Sequence, residues 1–193
     1  MLVQLVFVFA RDPGAISLAV LSPSVLWITL AFASIVALNR GFVLERENAA
    51  LDGLLLAPVS RAALFWGKWS GNLCFVLTVD LIAFPVWIAF FGVEPSRDLA
   101  VLAGVVVLAS IGFTAVGTLV SAMTVRTRFA ELLLPVLLLP FMVPPVTAAA
   151  ELSVRLLEHR PAAEWWGWIR LLALYDIAFL GLATLLFPRV MDE

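Results

Sequence analysis

Uncharged stretches divide the sequence into blocks that are long enough to cross a lipid bilayer. Three of them, 13–39, 99–125 and 132–150, contain no Asp, Glu, Lys or Arg. A helix needs about 20 apolar residues to span the hydrocarbon core. The pattern predicts five complete spans, at about 18–38, 62–91, 99–123, 132–150 and 169–187. The first ten residues, MLVQLVFVFA, reach only about half of the core and predict a partial span.

The composition excludes a water-soluble domain. Of the 193 residues, 63% are hydrophobic and 13% are charged, whereas soluble domains have roughly 45–50% and 25%. The apolar segments do not alternate in polarity as the strands of a membrane barrel do. We therefore predict an all-α polytopic membrane protein, a single transmembrane domain over 1–193. The partial first span leads us to expect either a start codon that is assigned too late or a shortened protein.

The charges give the orientation and exclude one class of partner. A net charge of −2 provides no basic field for nucleic acid. On one predicted side lie Arg40, Arg46, Arg61, Lys68, Arg126, Arg128 and Arg189, and on the other lie Arg11, Arg97, Arg155, Arg160 and Arg170. Because cytoplasmic loops carry the excess of Lys and Arg, we place the polar segment 39–61 and the C-terminus in the cytoplasm. The polar connection 151–168 is then a periplasmic loop.

No nucleotide-binding motif is present in this chain. The only Gly-Lys pair is Gly67-Lys68, and the P-loop pattern fails twice around it. Ala62 stands where the first glycine belongs and Trp69 where the Ser or Thr belongs. We expect Lys68 to extend toward the headgroups from the end of its span.

Two acids, Asp80 and Asp176, lie inside predicted spans. Ionisable groups at that depth cost several kcal/mol unless they face the bundle interior or water. They are therefore predicted to make polar contacts between helices or to line a water-facing surface. A third reading is an intramembrane aspartyl protease, in which two carboxylates share a proton. The Gly-x-Gly-Asp motif of that class is absent, because Asp80 follows Leu77-Thr78-Val79.

Two features belong to the predicted periplasmic side. His159, the only histidine, is either a solvated loop residue or a single axial ligand for haem or a metal. No second metal-ligand motif accompanies it. The run Trp165-Trp166-Gly167-Trp168 is typical of an aromatic belt at the membrane surface. It is also compatible with a platform for a flat hydrophobic ligand.

Two spans carry packing signals. Ser110, Thr114, Thr118 and Ala122 recur every four residues, which predicts a close contact between helices along that face. Prolines occupy positions 135, 140, 144 and 145 of the next span. They remove backbone donors, so we predict a kink or a break there.

The segment 45–61, ERENAALDGLLLAPVSR, predicts a short amphipathic helix. Its apolar residues Leu51, Leu54, Leu55 and Pro58 recur at helical spacing, and its charged residues Glu45, Glu47 and Asp52 suit the positive end of a helix. Pro58 disfavours helix at the residue before it, and Ser60 then fits as the N-cap of the next span. Such a helix on the cytoplasmic face either anchors to headgroups or forms a partner surface.

This segment resembles the loop between the second and third spans of ABC-2 type ABC-transporter membrane subunits. The closer resemblance is to the haem exporter protein B family of the cytochrome c maturation system. The flanking sequences that fit it are FVFARDPG (7–14), ALNR (37–40), LLLP (132–135) and LLALYDI (171–177), together with Arg61 and Gly67-Lys68.

The resemblance implies a six-span subunit in the bacterial cytoplasmic membrane, paired with a separate cytoplasmic ATPase of the haem exporter protein A type. ATP would bind to that partner, and this chain would hold no cofactor or metal itself. The resemblance also implies a complex with the haem-handling membrane proteins C and D, and it leaves a homodimer open. It makes the segment a coupling helix that seats in the ATPase through Glu45, Glu47, Asn48, Leu51, Asp52, Leu54, Leu55, Pro58 and Arg61.

Two alternatives stay open at this point. One is an ABC-2 permease for another hydrophobic substrate, such as a lipid or a drug. The other is a membrane scaffold without a transport role. Within the haem reading, the complex either exports haem or uses ATP to release a loaded haem chaperone.

Overall fold

The computed structural model describes residues 2–10, 18–47, 58–124 and 130–192, and all regular secondary structure within them is helical. The helices are α1 (Leu2–Ala10), α2 (Leu18–Glu47), α3 (Arg61–Phe91), α4 (Arg97–Thr124), α5 (Ala130–Leu157) and α6 (Ala162–Asp192). Five of these, α2 to α6, are long and apolar enough to cross a membrane. This confirms the prediction of a polytopic helical protein with five complete spans, preceded by the nine-residue α1.

Two of the predicted polar connections, 39–61 and 151–168, are partly helical. α2 continues through the first nine residues of the polar segment 39–61, up to Glu47. The predicted loop 151–168 is helical up to Leu157 and again from Ala162. Polar side chains mark where a helix leaves the hydrocarbon, and they do not end it. Each of these helices exceeds the ~20 residues that a span requires.

Helix ends in this protein carry specific caps. Ser60, with extended backbone, accepts a hydrogen bond at Oγ from the backbone N–H of Ala63 at 3.2 Å, which confirms it as the N-cap of α3. Gly92 ends α3 in the left-handed conformation (φ 61°), and its N–H donates to the carbonyl of Ile88. α5 ends in the same way at His159, a non-glycine residue with φ 53°.

α4 is the central helix of the bundle. It contacts all four of the other long helices, and every residue from 112 to 120 is buried. Two glycines allow the close approach. A Cβ at Gly117 would overlap Cδ1 of Leu38 on α2, and one at Gly112 would overlap Oδ1 of Asp176 on α6. Large side chains of α2 and α3, including the fully buried Trp27 and Trp87, fill the remaining core.

α5 is helical without interruption through its four prolines, so the predicted break does not occur. Pro145 cannot donate to the carbonyl of Phe141, four residues earlier. The hydroxyl of Tyr175 on α6 donates to that carbonyl at 2.6 Å. The Oγ1 of Thr147 donates to the carbonyls of Val143 and Pro144. The side chain of Tyr175 thus replaces the backbone donor that Pro145 lacks, as a membrane helix requires.

Candidate functional site

The predicted coupling segment is described only at its two ends. The positions Asn48, Leu51, Asp52, Leu54 and Leu55 lie outside the described residues, as do the side chains of Glu45 and Glu47. The backbone of these two glutamates forms the last turn of α2. Pro58 is exposed and outside the described helices, and Arg61 begins α3.

The two helices that flank this segment lie side by side. A Cβ built on Gly41 of α2 would stand 3.7 Å from Oδ1 of Asn72 on α3. Gly41 is near the end of α2 and Asn72 is in the first half of α3, and at the other ends Nε1 of Trp87 donates to the carbonyl of Ser22, so the two helices run antiparallel. The segment 48–57 therefore joins adjacent ends of two spans.

Three polar contacts tie α3 to the central helix. Nε1 of Trp69 donates to the carbonyl of Ile111 at 3.4 Å. Nδ2 of Asn72 donates to Oγ1 of Thr118 at 2.9 Å, and Oγ of Ser110 donates to Oδ2 of Asp80 at 2.6 Å. The predicted face of Ser110, Thr114, Thr118 and Ala122 is buried throughout. Its prediction as a contact between helices is confirmed, and α3 is its partner for Ser110 and Thr118.

Sequence reasoning missed Asn72. The sequence contains a signal for it, because a side-chain amide inside an apolar span usually hydrogen-bonds to a neighbouring helix. The hydrogen bond from Ser110 places Asp80, which is only 3% exposed, in a polar contact between α3 and α4, one of the two roles predicted for it. The interaction with Ser110 satisfies one of its carboxyl oxygens, and Oδ1 has no hydrogen-bond partner among the described residues.

Asp176 sits on the other side of the central helix. It is 5% exposed, and neither carboxyl oxygen has a hydrogen-bond partner in the described part of the chain. It packs against the backbone of Gly112, next to the ring of Tyr175. The space that a glycine leaves on α4 is thus filled by a carboxyl group from α6.

The two buried acids do not form a pair. Asp80 contacts α4 at Ser110 and Asp176 contacts it at Gly112. Residues that are two positions apart in an α-helix point about 200° apart around its axis, because the helix has 3.6 residues per turn. The carboxyl groups therefore lie on opposite faces of α4 and cannot share a proton, which removes the geometry that an aspartyl protease requires.

His159 and the tryptophans lie together at the end of the bundle opposite the coupling segment. The His159 ring is largely exposed, as expected of a loop histidine, and its Nδ1 lies 2.5 Å from Oδ2 of Asp98. Among the described residues, no group of three or more His, Cys, Asp or Glu side chains is placed to hold a metal ion.

Two arginines pack against rings of the run Trp165–Trp168 at this end. The guanidinium of Arg155 lies 5.2 Å from the centre of the Trp168 ring, and that of Arg170 lies 5.9 Å from Trp166. Such cation–π pairs and half-buried rings at the end of a span are typical of an aromatic belt. This arrangement favours the anchoring interpretation over a ligand platform.

Comparison with known proteins gives the chain a family context. The family model described as CcmB protein matches residues 1–192. A heme exporter protein B from Rhodobacter capsulatus is 30% identical over 155 residues, which cover 76% of this chain and 67% of the relative. A heme exporter protein B from Pseudomonas aeruginosa is 24% identical over 163 residues, which cover 84% and 73%.

Proposed function

The chain belongs to the CcmB protein family, and on that premise we propose that it is the membrane subunit through which a separate cytoplasmic ATPase drives haem handling in c-type cytochrome biogenesis. The match over nearly the whole chain carries this proposal. The relatives are named heme exporter protein B, and haem is accordingly the proposed cargo. The site of action is the cytoplasmic membrane of a bacterium, with the haem-handling proteins C and D as further partners.

The coupling segment is the proposed contact with the ATPase. Its position between the adjacent ends of α2 and α3 supports this, because one docking event there bears on two spans. The cap at Ser60 supports it as well, since a capped helix start resists fraying when it is pulled. In its sequence the segment offers a partner the carboxylate of Asp52 and the apolar side chains of Leu51, Leu54 and Leu55.

Two side chains of α3 connect its start to the central helix α4. Asn72 lies 11 residues into the helix and Asp80 lies 19 residues into it, about 16 Å and 28 Å along its axis. Both hold α4 by side-chain hydrogen bonds. A displacement of α3 therefore moves α4, and α4 touches every other long helix.

A paired substitution tests the coupling segment. We expect Asp52→Arg with Leu55→Glu to abolish co-purification of the ATPase from detergent-solubilised membranes, while the amount of membrane-inserted protein stays unchanged. The matched control is Glu94→Arg with Ala163→Glu, which places the same new charges at exposed positions on the opposite side. Unchanged co-purification with the first pair would refute the assignment.

The cargo is tested separately. In the native bacterium, deletion of the gene is expected to remove haem-stained c-type cytochromes, and expression of the chain is expected to restore them. If c-type cytochromes persist in the deletion strain, haem is not the cargo, whatever the ATPase experiment shows.

A further inference from the structure

The turn that ends α5 places a histidine where helices usually have glycine. The N–H of His159 donates to the carbonyl of Leu156 at 3.0 Å, and the N–H of Arg160 donates to the carbonyl of Arg155 at 2.9 Å, which is the Schellman arrangement. The residue at this position is left-handed, a conformation that glycine adopts without steric cost. The backbone therefore gives no reason for a histidine here, whereas the contacts of its ring do.

One nitrogen of the His159 ring is held and the other is open. Nδ1 bonds to Asp98, which lies in the first turn of α4. The Oγ of Ser96 caps that helix by accepting a hydrogen bond from the N–H of Leu99 at 3.2 Å. Because a carboxylate only accepts, the proton of the neutral ring is on Nδ1 and the lone pair is on Nε2. Nε2 has no hydrogen-bond partner among the described residues. Metal-ligating histidines almost always have one ring nitrogen held in this way.

A cavity of about 370 Å³ lies beside this ring, between α2, the connection from α3 to α4, and the end of α5. Phe91, Val93 and Leu157 form apolar walls, and His159 is one of the polar residues that line it. The volume is within the range of small-molecule sites, about 300–1,000 Å³. The His159 side chain is 70% exposed, so a molecule larger than the cavity reaches the ring without a rearrangement of the bundle.

Coordination chemistry restricts what binds at Nε2. A zinc ion takes three or four ligands from the protein, and no group of three His, Cys, Asp or Glu side chains in the described part of the chain is placed to hold a metal ion. Haem iron has its equatorial positions filled by the porphyrin, so the protein supplies only axial ligands, and histidine is a common one. The apolar walls of the cavity suit the macrocycle. A single held imidazole with an open nitrogen is therefore suited to an iron porphyrin and not to a bare ion.

We propose that Nε2 of His159 is an axial ligand to haem iron at the end of the bundle opposite the coupling segment, and that Asp98 is a positioning residue that fixes the ring and its proton. Haem is held there as cargo and not as a resident cofactor. The proposal rests on the proposed function for the identity of the cargo. Its test uses haem added to the purified chain, so it can fail while c-type cytochromes still depend on the gene.

Isotope labelling tests the ligand directly. His159 is the only histidine in the chain, so the full chain is purified in detergent with an affinity tag that contains no histidine. Ferric protoporphyrin is the probe. We expect electron–nuclear double resonance to show strong coupling between the iron and histidine labelled at Nε2, and only weak coupling when the label is at Nδ1. Absence of the Nε2 coupling, whether the haem stays in the micelle or is bound by another residue, would overturn the proposal.

Substitutions separate the ligand from the residue that holds it. His159→Gly keeps the left-handed turn and is expected to lower the affinity for haem at least about tenfold, and added imidazole is expected to restore the spectrum of the ligated iron. Asp98→Ala is expected to lower the affinity about 10–100-fold and to raise the reduction potential of the bound haem, because the ring becomes a weaker donor, while the Nε2 coupling persists. The control Glu151→Ala removes a carboxylate that pairs with Arg155 and is expected to leave both values unchanged.

Melting of each purified variant shows that the fold survives. Undiminished haem binding by His159→Gly, or equal changes for Asp98→Ala and Glu151→Ala, would contradict the site.

Discussion

The contact between Gly112 and Asp176 gives the sharpest test of the packing described above. Gly112→Ala adds a single carbon to the central helix. That Cβ would lie far inside normal contact distance of Oδ1 of Asp176 and 3.0 and 3.1 Å from two carbons of the Tyr175 ring. Gly104 of the same helix is the matched control, because a Cβ there would meet nothing within 4 Å.

Gly112→Ala changes the free energy of unfolding through two contributions of opposite sign. Overpacking a filled interface by one carbon costs about 1–3 kcal/mol, and alanine in place of glycine in a helix returns about 0.5–1 kcal/mol. The net loss for Gly112→Ala is then up to about 2.5 kcal/mol, which lowers the melting temperature of a chain of this size by up to roughly 10 °C. Gly104→Ala receives only the gain, so it melts at the same temperature as the parent protein or slightly above it.

The assay is thermal unfolding of the purified protein in detergent, followed by tryptophan fluorescence and by the fraction that stays monodisperse. A third variant locates the clash. In an Asp176→Ala background, the carboxyl group is gone, so Gly112→Ala is expected to cost less than it does in the parent. Equal melting temperatures for Gly112→Ala and Gly104→Ala would refute the close approach of α4 and α6.

Three further predictions use the same melting assay. Tyr175→Phe removes the donor to the carbonyl that Pro145 leaves free, so it is expected to cost about 1 kcal/mol, and less in a Pro145→Ala background where the backbone N–H is restored. Ser110→Ala leaves both oxygens of Asp80 without a donor and is expected to cost about 1–3 kcal/mol, whereas Ser110→Thr, which keeps the hydroxyl, costs less. His159→Gly is expected to be about 1 kcal/mol more stable than His159→Ala, because its backbone is left-handed. Equal costs within any of these pairs would contradict the contact concerned.

The number and type of the spans were predictable because the hydrocarbon core provides no hydrogen-bond partner for the backbone. Backbone groups in the bilayer must bond within the segment, so a long apolar block becomes a helix. The cap at Ser60 was predictable as well, since Pro58 and Ser60 carry local signals that do not depend on the rest of the fold. The family resemblance, read from short strings across the chain, is confirmed by the match over 1–192.

The helix ends were not predictable from polarity. Residues 39–47 of α2 and 151–157 of α5 include charged side chains and are still helical, because a helix that leaves the hydrocarbon keeps its backbone hydrogen bonds. Pro161, just before α6, marks the actual turn more accurately than the charged residues do. The prolines of α5 predicted a kink or a break, and the break does not occur; the sequence alone cannot assign Tyr175 as the donor to the carbonyl that Pro145 leaves free.

The partners of the buried acids were also beyond the sequence. The cost of burying a carboxyl group predicts that Asp80 and Asp176 face the interior, and both do. Which residues they meet depends on the arrangement of the helices. Ser110 and Gly112 are two positions apart on one helix, yet they separate the two carboxyl groups rather than joining them.

That separation bears on the proposed coupling of the ATPase to these helices. α4 is held on one side by polar contacts with α3, which directly follows the proposed coupling segment, and on the other side by the close packing of Asp176 and Tyr175 against Gly112. The hydrogen bonds of Asn72 and Asp80 have fixed partners, so α3 and α4 move together. The α6 contact has no hydrogen bond to Asp176 within the described residues, but its close packing opposes sliding. Rearrangement driven from the coupling segment is therefore expected to carry α3 and α4 as a unit and to reach α6 through that packing.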